Sequence, residues 1–444
     1  LILPFEVKRG DVTHNVNNRE FSINCSGIVN HIDRDRSNLA EWDKKIGIDF
    51  DPRFQTRFKR QAFHSIMAFL NNKFLMMMRI LHLGRQTGWF SLLLLITIAP
   101  AQAQRLRVSV AQKISQVNLA ASTPAIVSDG NGQKFTELQP LKALLATANN
   151  DEIEFGDLKA TQLWIEPQQG GYVWIEDRWY RGAVQVISSG KKLVAINHVD
   201  LEQYLYSVLG AEMSATFPIE ALKAQAVAAR TYALYRRQSA TKKLFDVDSS
   251  QTSQVYRGLS SEADTTQIAV NATLGQILTY QGKPILAAFH SASGGHTENV
   301  EDIWPNRLPY LRGVPDYDLG TPGYEWTQAF TTAQLSQGLK IKQIDTIEPD
   351  RTTQFGRVVS LKINGDTTKT LTGTQVRTAL KLRSLRFTIT PTPQGFLFTG
   401  RGYGHGVGMS QWGAFNLAQQ GMTYLNILAH YYSGVAIKNV EDRN

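Results

Sequence analysis

The clearest periodic signal in the chain lies in residues 200–238. In "VDLEQYLYSVLG", Leu201, Leu205, Val208 and Leu209 share one helical face, with Asp200 in the N-cap position, Gln203 three residues on, and Gly210 predicted as the stop. A second helix is predicted from about Phe217 or Pro218 to Arg237, because proline is tolerated in a first turn and nowhere deeper. Ala221, Ala224, Ala226, Ala228, Ala229 and Ala233 put small residues on nearly every face of it. Such a helix lets neighbouring backbones approach closely, so it should run through the centre of the fold.

The flanking segments read as strands. "RLRVSV" and "VNLAA" open the series, "QLWIEPQQGGYVWIEDRWYRG" carries a Gly-Gly turn, and "GAVQVISSGKKLVAINHV" has apolar runs about Ser189-Gly190. "QILTY" and "PILAAFHS" are predicted to pair across Gln281-Gly282. "GRVVSLKING" and "RFTITPTPQGFLFTG" add strands around a short helix in "TGTQVRTALKL", and the chain closes on the helix "TYLNILAHYYSG". No internal repeat is visible in residues 104–444. The class is α+β, antiparallel β-rich segments with inserted helices. The organisation predicted is a β-rich segment at 104–179, a mixed region at 180–437, which the family resemblance given below implies to be catalytic, and a tail at 438–444.

Residues 1–103 read differently. Residues 1–75 are polar and without sustained period, and read as a start-site artefact or disordered extension. Residues 76–103 have Arg79 and Arg85, an apolar run from Trp89 to Ala99, and the small-residue pattern Ala101-Gln102-Ala103, which is the layout of a signal peptide. That run is too short to span a bilayer, so no mature transmembrane helix is expected. The protein is expected to be exported to periplasm or cell wall, anchored only where the signal stays uncleaved.

This changes the charge picture. The chain carries a formal net charge of +9, but residues 1–103 hold 14 Lys+Arg and 9 Asp+Glu, leaving 33 against 29 in the remainder. So mild an excess suits contact with anionic wall polymers and is too weak to indicate nucleic acid. The single cysteine, Cys25, also lies in that first part, so residues 104–444 form no disulfide among themselves.

Three clusters carry candidate chemistry. Glu212 follows the predicted helix end in apolar company, Gly210, Ala211 and Met213; in a dry pocket its pKa rises and it becomes a general acid, whereas the alternative is a carboxylate that caps a helix or pairs with Arg230. "GRGYGHGVGMSQWGA" has alternating glycines, unlike a dinucleotide fingerprint, and such glycines permit close approach to backbone. There His405, Ser410 and Gln411 either line a sugar-binding cleft or belong to a structural turn in which His405 is a packing residue. "HSASGGHTE" brings His290, His296 and Glu298 together without cysteine or HExxH spacing, so no metal and no cofactor are expected.

In this order along the chain, "VDLEQYLYSVLGAEMSATFPIEALKAQAVAARTYAL", "SQVYRG", "AVNATLGQILTYQGKPILAAFHSASGGHTENVEDIW", "VRTALKLRS" and "GRGYGHGVGMSQWGAFNLAQQGMTYLNILAHYYSG" resemble the stage II sporulation protein D family (SpoIID/LytB). The resemblance implies a lytic transglycosylase cleaving the β-1,4 bond between N-acetylmuramic acid and N-acetylglucosamine of peptidoglycan glycan strands, with strands stripped of stem peptide as substrate in sporulating relatives. The family's catalytic glutamate falls on Glu212. Its "GHGVGMSQ" loop implies His405, Ser410 and Gln411 as substrate contacts. Gln225, Arg230 and Tyr232, on the helix after Glu212, are further candidates, Arg230 positioning Glu212 or meeting a lactyl carboxylate. Where some relatives bind zinc through His and Cys, this chain has serines, which argues against metal. The amidase-enhancer branch implies the alternative, a non-catalytic modifier that stimulates a cell-wall amidase.

Overall fold

The computed structural model describes residues 104–440. The segment expected to be a signal peptide (76–103), the segment before it, Cys25 and the last four residues of the tail lie outside the described residues.

Arg105–Ile114 pairs antiparallel with Lys192–Asp200, which pairs with Ala183–Ser189 and, beyond it, Gln162–Pro167, inside a seven-stranded sheet. A six-stranded sheet has Gln116–Ala121 and Leu144–Asn149 at its centre. Alternation decides what each buries: Val117 and Leu119 point inward while Gln116 and Asn118 stay exposed. Leu106 and Val108 of the first sheet share one core with Val117 and Leu119 of the second and with the helices that follow. Strands on both sides of residue 179 sit in one sheet.

Helix α1, Leu201–Glu212, continues directly from a strand of that sheet. Asp200 caps it, accepting from the backbone N–H of Glu202 and Gln203. Leu205, Val208 and Leu209 are fully buried, each worth about 1.5–3 kcal/mol relative to exposure. Gly210 is not the stop. It lies inside the helix, where any Cβ would collide with the Ser261 carbonyl of the 3-10 turn Gly258–Ser261. The glycine serves close packing, and α1 runs two residues further to end on Glu212.

Helix α2, Ile219–Gln238, starts after Pro218 and is buried on almost every face, as its alanines require. It packs against α1 and α3, Asp264–Ala272, and against the strand Gln276–Tyr280. Gln281 and Gly282 turn that strand back onto Lys283–Pro284, as expected, but the pairing stops there; Phe289–His290 pairs instead, in parallel, with Met409–Ser410.

An inserted unit spans Glu325–Arg401 and has its own core, centred on Leu335, Val358, Leu361, Ile363, Val376 and Phe398. It holds two three-stranded sheets and two helices, α4, Thr332–Leu339, and α5, Gly373–Leu380. "TTAQLSQGLKI" (331–341) and "TGTQVRTALKL" (372–382) adopt the same motif: Thr331 and Thr372 cap, Gln334 and Gln375 close capping boxes, and Lys340 and Lys381 end the helices in the left-handed conformation. Helices α6, Gln411–Gln419, and α7, Tyr424–Tyr431, complete the molecule. Among the described residues, no helix is long and apolar enough to cross a membrane.

Candidate active site

The site is built on the end of α1. Glu212 is its last residue, half-buried, and the N–H of Met213 closes the helix on the Leu209 carbonyl. The backbone N–H of Val255 donates to Glu212 Oε1 at 2.7 Å. Burial raises the Glu212 pKa above the ordinary carboxylate range; Val255, the Gln411 amide and, more distantly, Arg257 oppose that rise. Among the described residues, no second carboxylate is among the groups that set its charge.

Gln411 is the first residue of α6 and almost fully buried, and its Nε2 has no well-oriented partner among the described residues. Glu212 and Gln411, 199 positions apart in sequence numbering, are thus brought together. Tyr232 lies close enough for the Glu212 charge to raise its pKa, although burial is the main cause, and its hydroxyl meets Ser253. Phe217, Trp412 and Phe415 form a half-buried aromatic group with centroids 4.8–5.3 Å apart, joining the segment after Glu212 to the helix that carries Gln411.

A family model for stage II sporulation proteins matches residues 189–280, and a model for a domain of unknown function matches residues 311–408. Stage II sporulation protein D of Bacillus subtilis is 39% identical over 266 residues, covering 56% of this chain and 77% of that protein. An uncharacterized protein of Brachyspira hyodysenteriae is 37% identical over 267 residues, covering 58% of this chain and 72% of its own length. The chain belongs to the stage II sporulation protein D family. The amidase enhancer of Bacillus subtilis is 32% identical over 288 residues, covering 52% of this chain and 40% of that protein. Family membership supports a role connected with the cell wall.

The remaining candidates of this family member lie around the site rather than against Glu212. Arg230 is fully buried and partners Glu202, at 2.7 Å from Nε and 2.5 Å from Nη2, together with the carbonyls of Gln276 and Val270. It locks α2 to the start of α1 and does not pair with Glu212. Gln225 is fully buried on α2 with neither amide atom hydrogen-bonded among the described residues. Ser410 caps α6 by accepting from the Gly413 N–H. His405 accepts at Nδ1 from the Val407 N–H and packs between Trp304 and His290. Burial pushes its pKa down to about 3, so the ring is neutral.

The close approach permitted by the glycine-rich loop is made by the protein itself. Gly406, at φ +80°, lies against the guanidinium of Arg357, which enters from the inserted unit. Arg357 donates from Nη2 to the Ser293 carbonyl and pairs through Nε with Glu298 Oε1 at 3.3 Å, both residues fully buried. His296 stacks on Phe355 at 3.7 Å, and His290 Nδ1 donates to the Val407 carbonyl. His290, His296 and Glu298 thus tie the inserted unit and the glycine loop to the core. No group of three metal-ligating side chains occurs among the described residues.

The residue that sequence reasoning missed is Val255. Its contribution is a backbone N–H, which carries no side-chain signature; the only available signal was its place in the family stretch "SQVYRG".

Proposed function

We propose that this protein is a lytic transglycosylase of peptidoglycan glycan strands with Glu212 as the single acid and base. The observation that carries this is the half-buried carboxylate at the end of α1, its pKa raised by burial, with one oxygen fixed by Val255. Because Oε1 accepts the Val255 N–H, Oε2 is the atom that carries the proton. That proton passes to the glycosidic oxygen as the bond from C1 of the muramyl residue breaks. The resulting carboxylate then takes the proton of the C6 hydroxyl of the same sugar, whose oxygen bonds to C1 and closes the 1,6-anhydro ring. The second step is intramolecular, so proximity does much of the work. A second catalytic carboxylate, needed by glycosidases that use water or a covalent intermediate, has no role here.

A second reading is favoured by the relative named amidase enhancer: binding to wall glycan that stimulates an amidase without cutting glycan. The two separate in one experiment. Glycan strands, intact and peptide-stripped, are incubated with this protein alone, with a cell-wall amidase alone, and with both. Anhydromuramyl ends formed by this protein alone support the transglycosylase. Faster amide cleavage in the mixture, with no anhydro ends in any tube, supports the modifier and overturns the enzyme.

A further inference from the structure

The inserted unit has a polar sheet face with no role in the site described. In the sheet of Glu325–Thr331, Gly395–Arg401 and Arg386–Thr392, Trp326, Gly400 and Phe387 stand in register, as do Glu325, Arg401 and Arg386 in the next row and Thr327, Thr399 and Thr388 in the row after that. Trp326 and Phe387 are buried in the unit's core, so the charged and threonine rows face the other way. A cavity of about 560 Å³ is lined by these rows.

The charge of this face is unbalanced. Arg386 and Arg401 stand directly opposite each other, an arrangement that repels unless an anion lies between or beside them. One carboxylate answers, Glu325, an exposed partner 3.5 Å from Arg401. Arg386 donates to the Gly294 carbonyl, and neither Arg386 nor Arg383 has an ion pair among the described residues. Two tyrosines lie beside arginines of this unit. Arg401 lies 5.6 Å from the Tyr324 ring and Arg383 lies 6.0 Å from that of Tyr403, which is 46% exposed.

This face is joined to the Glu212 site through backbone. The Gly402 N–H donates to the Tyr324 carbonyl, Tyr403 bridges to Ala292 in both directions, and the Ser291 carbonyl accepts the Trp412 N–H, one residue from Gln411. The aromatic side chains Phe217, Trp412, Tyr324 and Tyr403 occur along that route.

The geometry points to a second binding site for the wall polymer: Arg383, Arg386 and Arg401, with Tyr324 and Tyr403, take a carboxylate-bearing glycan. Guanidinium forks match carboxylates in two parallel hydrogen bonds, and phenol rings offer flat surfaces to the apolar faces of sugars. The matched domain of unknown function, residues 311–408, contains every one of these residues and would owe its presence to this site. The choice of ligand rests on the wall-glycan reading above, but the site does not depend on Glu212 being the acid.

The test is binding in a Glu212→Gln background, which separates it from cleavage. Fluorescence anisotropy gives Kd for labelled glycan strands with intact stem peptides, for stripped strands bearing lactyl carboxylates, and for a neutral chitooligosaccharide. Adding Arg383→Gln and Arg401→Gln, both at exposed positions, should weaken at least one carboxylate-bearing strand by about tenfold or more, leave the neutral oligosaccharide within about twofold, and flatten the salt dependence. Whichever of the two strands responds names the source of the carboxylate. Unchanged Kd for both strands in a variant with unchanged melting temperature overturns the site, as does equal loss for the neutral ligand. Either failure leaves the cleavage experiment standing.

Discussion

Replacing Gly406 by alanine should damage this protein far more than backbone strain alone. At φ +80° an L-residue costs about 1–2 kcal/mol. The new Cβ would also fall on Cζ, Nε and Nη2 of Arg357, a fully buried side chain with no open direction in which to retreat. Displacing it parts the guanidinium from Glu298 and from the Ser293 carbonyl, and breaking a buried ion pair costs about 3–5 kcal/mol. The sum is about 4–7 kcal/mol, a large part of a typical domain's stability. Gly156→Ala is the matched control: its φ is +60° and nothing lies within 4 Å of the added atom, so it should lose only about 1–2 kcal/mol. Urea denaturation followed by tryptophan fluorescence and circular dichroism measures both. A Gly406→Ala loss equal to that of Gly156→Ala would refute the reasoning. The same pair predicts that Arg357→Met with Glu298→Gln is milder than either change alone, since neither then leaves a lone buried charge.

Other consequences follow from the same contacts. Gln411→Leu removes a group that holds the Glu212 pKa down, so the alkaline limb of kcat/KM, set by loss of the acid's proton, should move to higher pH; a limb that stays put or moves down contradicts the contact. Asp200→Ala strips the cap from α1 and should cost about 1 kcal/mol in urea melts, against no change if the cap is incidental. His405 is held neutral by burial, with a folded pKa of about 3 against an unfolded value near 6.5. Its contribution is intact above pH 6.5 and drains away as pH falls from there toward 3, because the unfolded state binds the proton first. Glu298, raised to about 7, and Asp318, raised to about 6, act with the opposite sign in part of that window, so the test is a difference. The stability gap between wild type and His405→Gln should narrow between pH 7 and pH 4.5, and a constant gap would contradict the assignment.

The local rules were legible where local chemistry decides. Asp200 and Pro218 mark the starts of α1 and α2, and the alanines of α2 announce its central place. Gly210 was misread because a glycine that ends a helix and one that admits a neighbour's carbonyl look alike in sequence; only the approach of Ser261 distinguishes them. Helix α6 was missed for a related reason: Gly413 lies in its first turn, where the Asp316 carboxylate and the Tyr431 hydroxyl leave no room for a side chain. The likeness of the two capped helices in the inserted unit was hidden because they share chiefly their caps, a leucine and the left-handed lysine, while their other positions differ. A pairing of Arg230 with Glu212 was one of the alternatives read from the sequence, yet Glu202, at the other end of α1, holds it. Pairings of that kind are set by how α1 and α2 cross, which no short motif records.

The central claim is that one half-buried carboxylate performs both proton transfers. Its most direct test is the yield of 1,6-anhydromuramyl ends, measured by mass spectrometry, from peptide-stripped glycan strands incubated with residues 104–444 or with the Glu212→Gln form. Both proteins must first show the same melting temperature. The account predicts anhydro ends with wild type and a fall of at least about a hundredfold with Glu212→Gln, the scale of a lost general acid. Equal yields from the two proteins, or none from either, would contradict it.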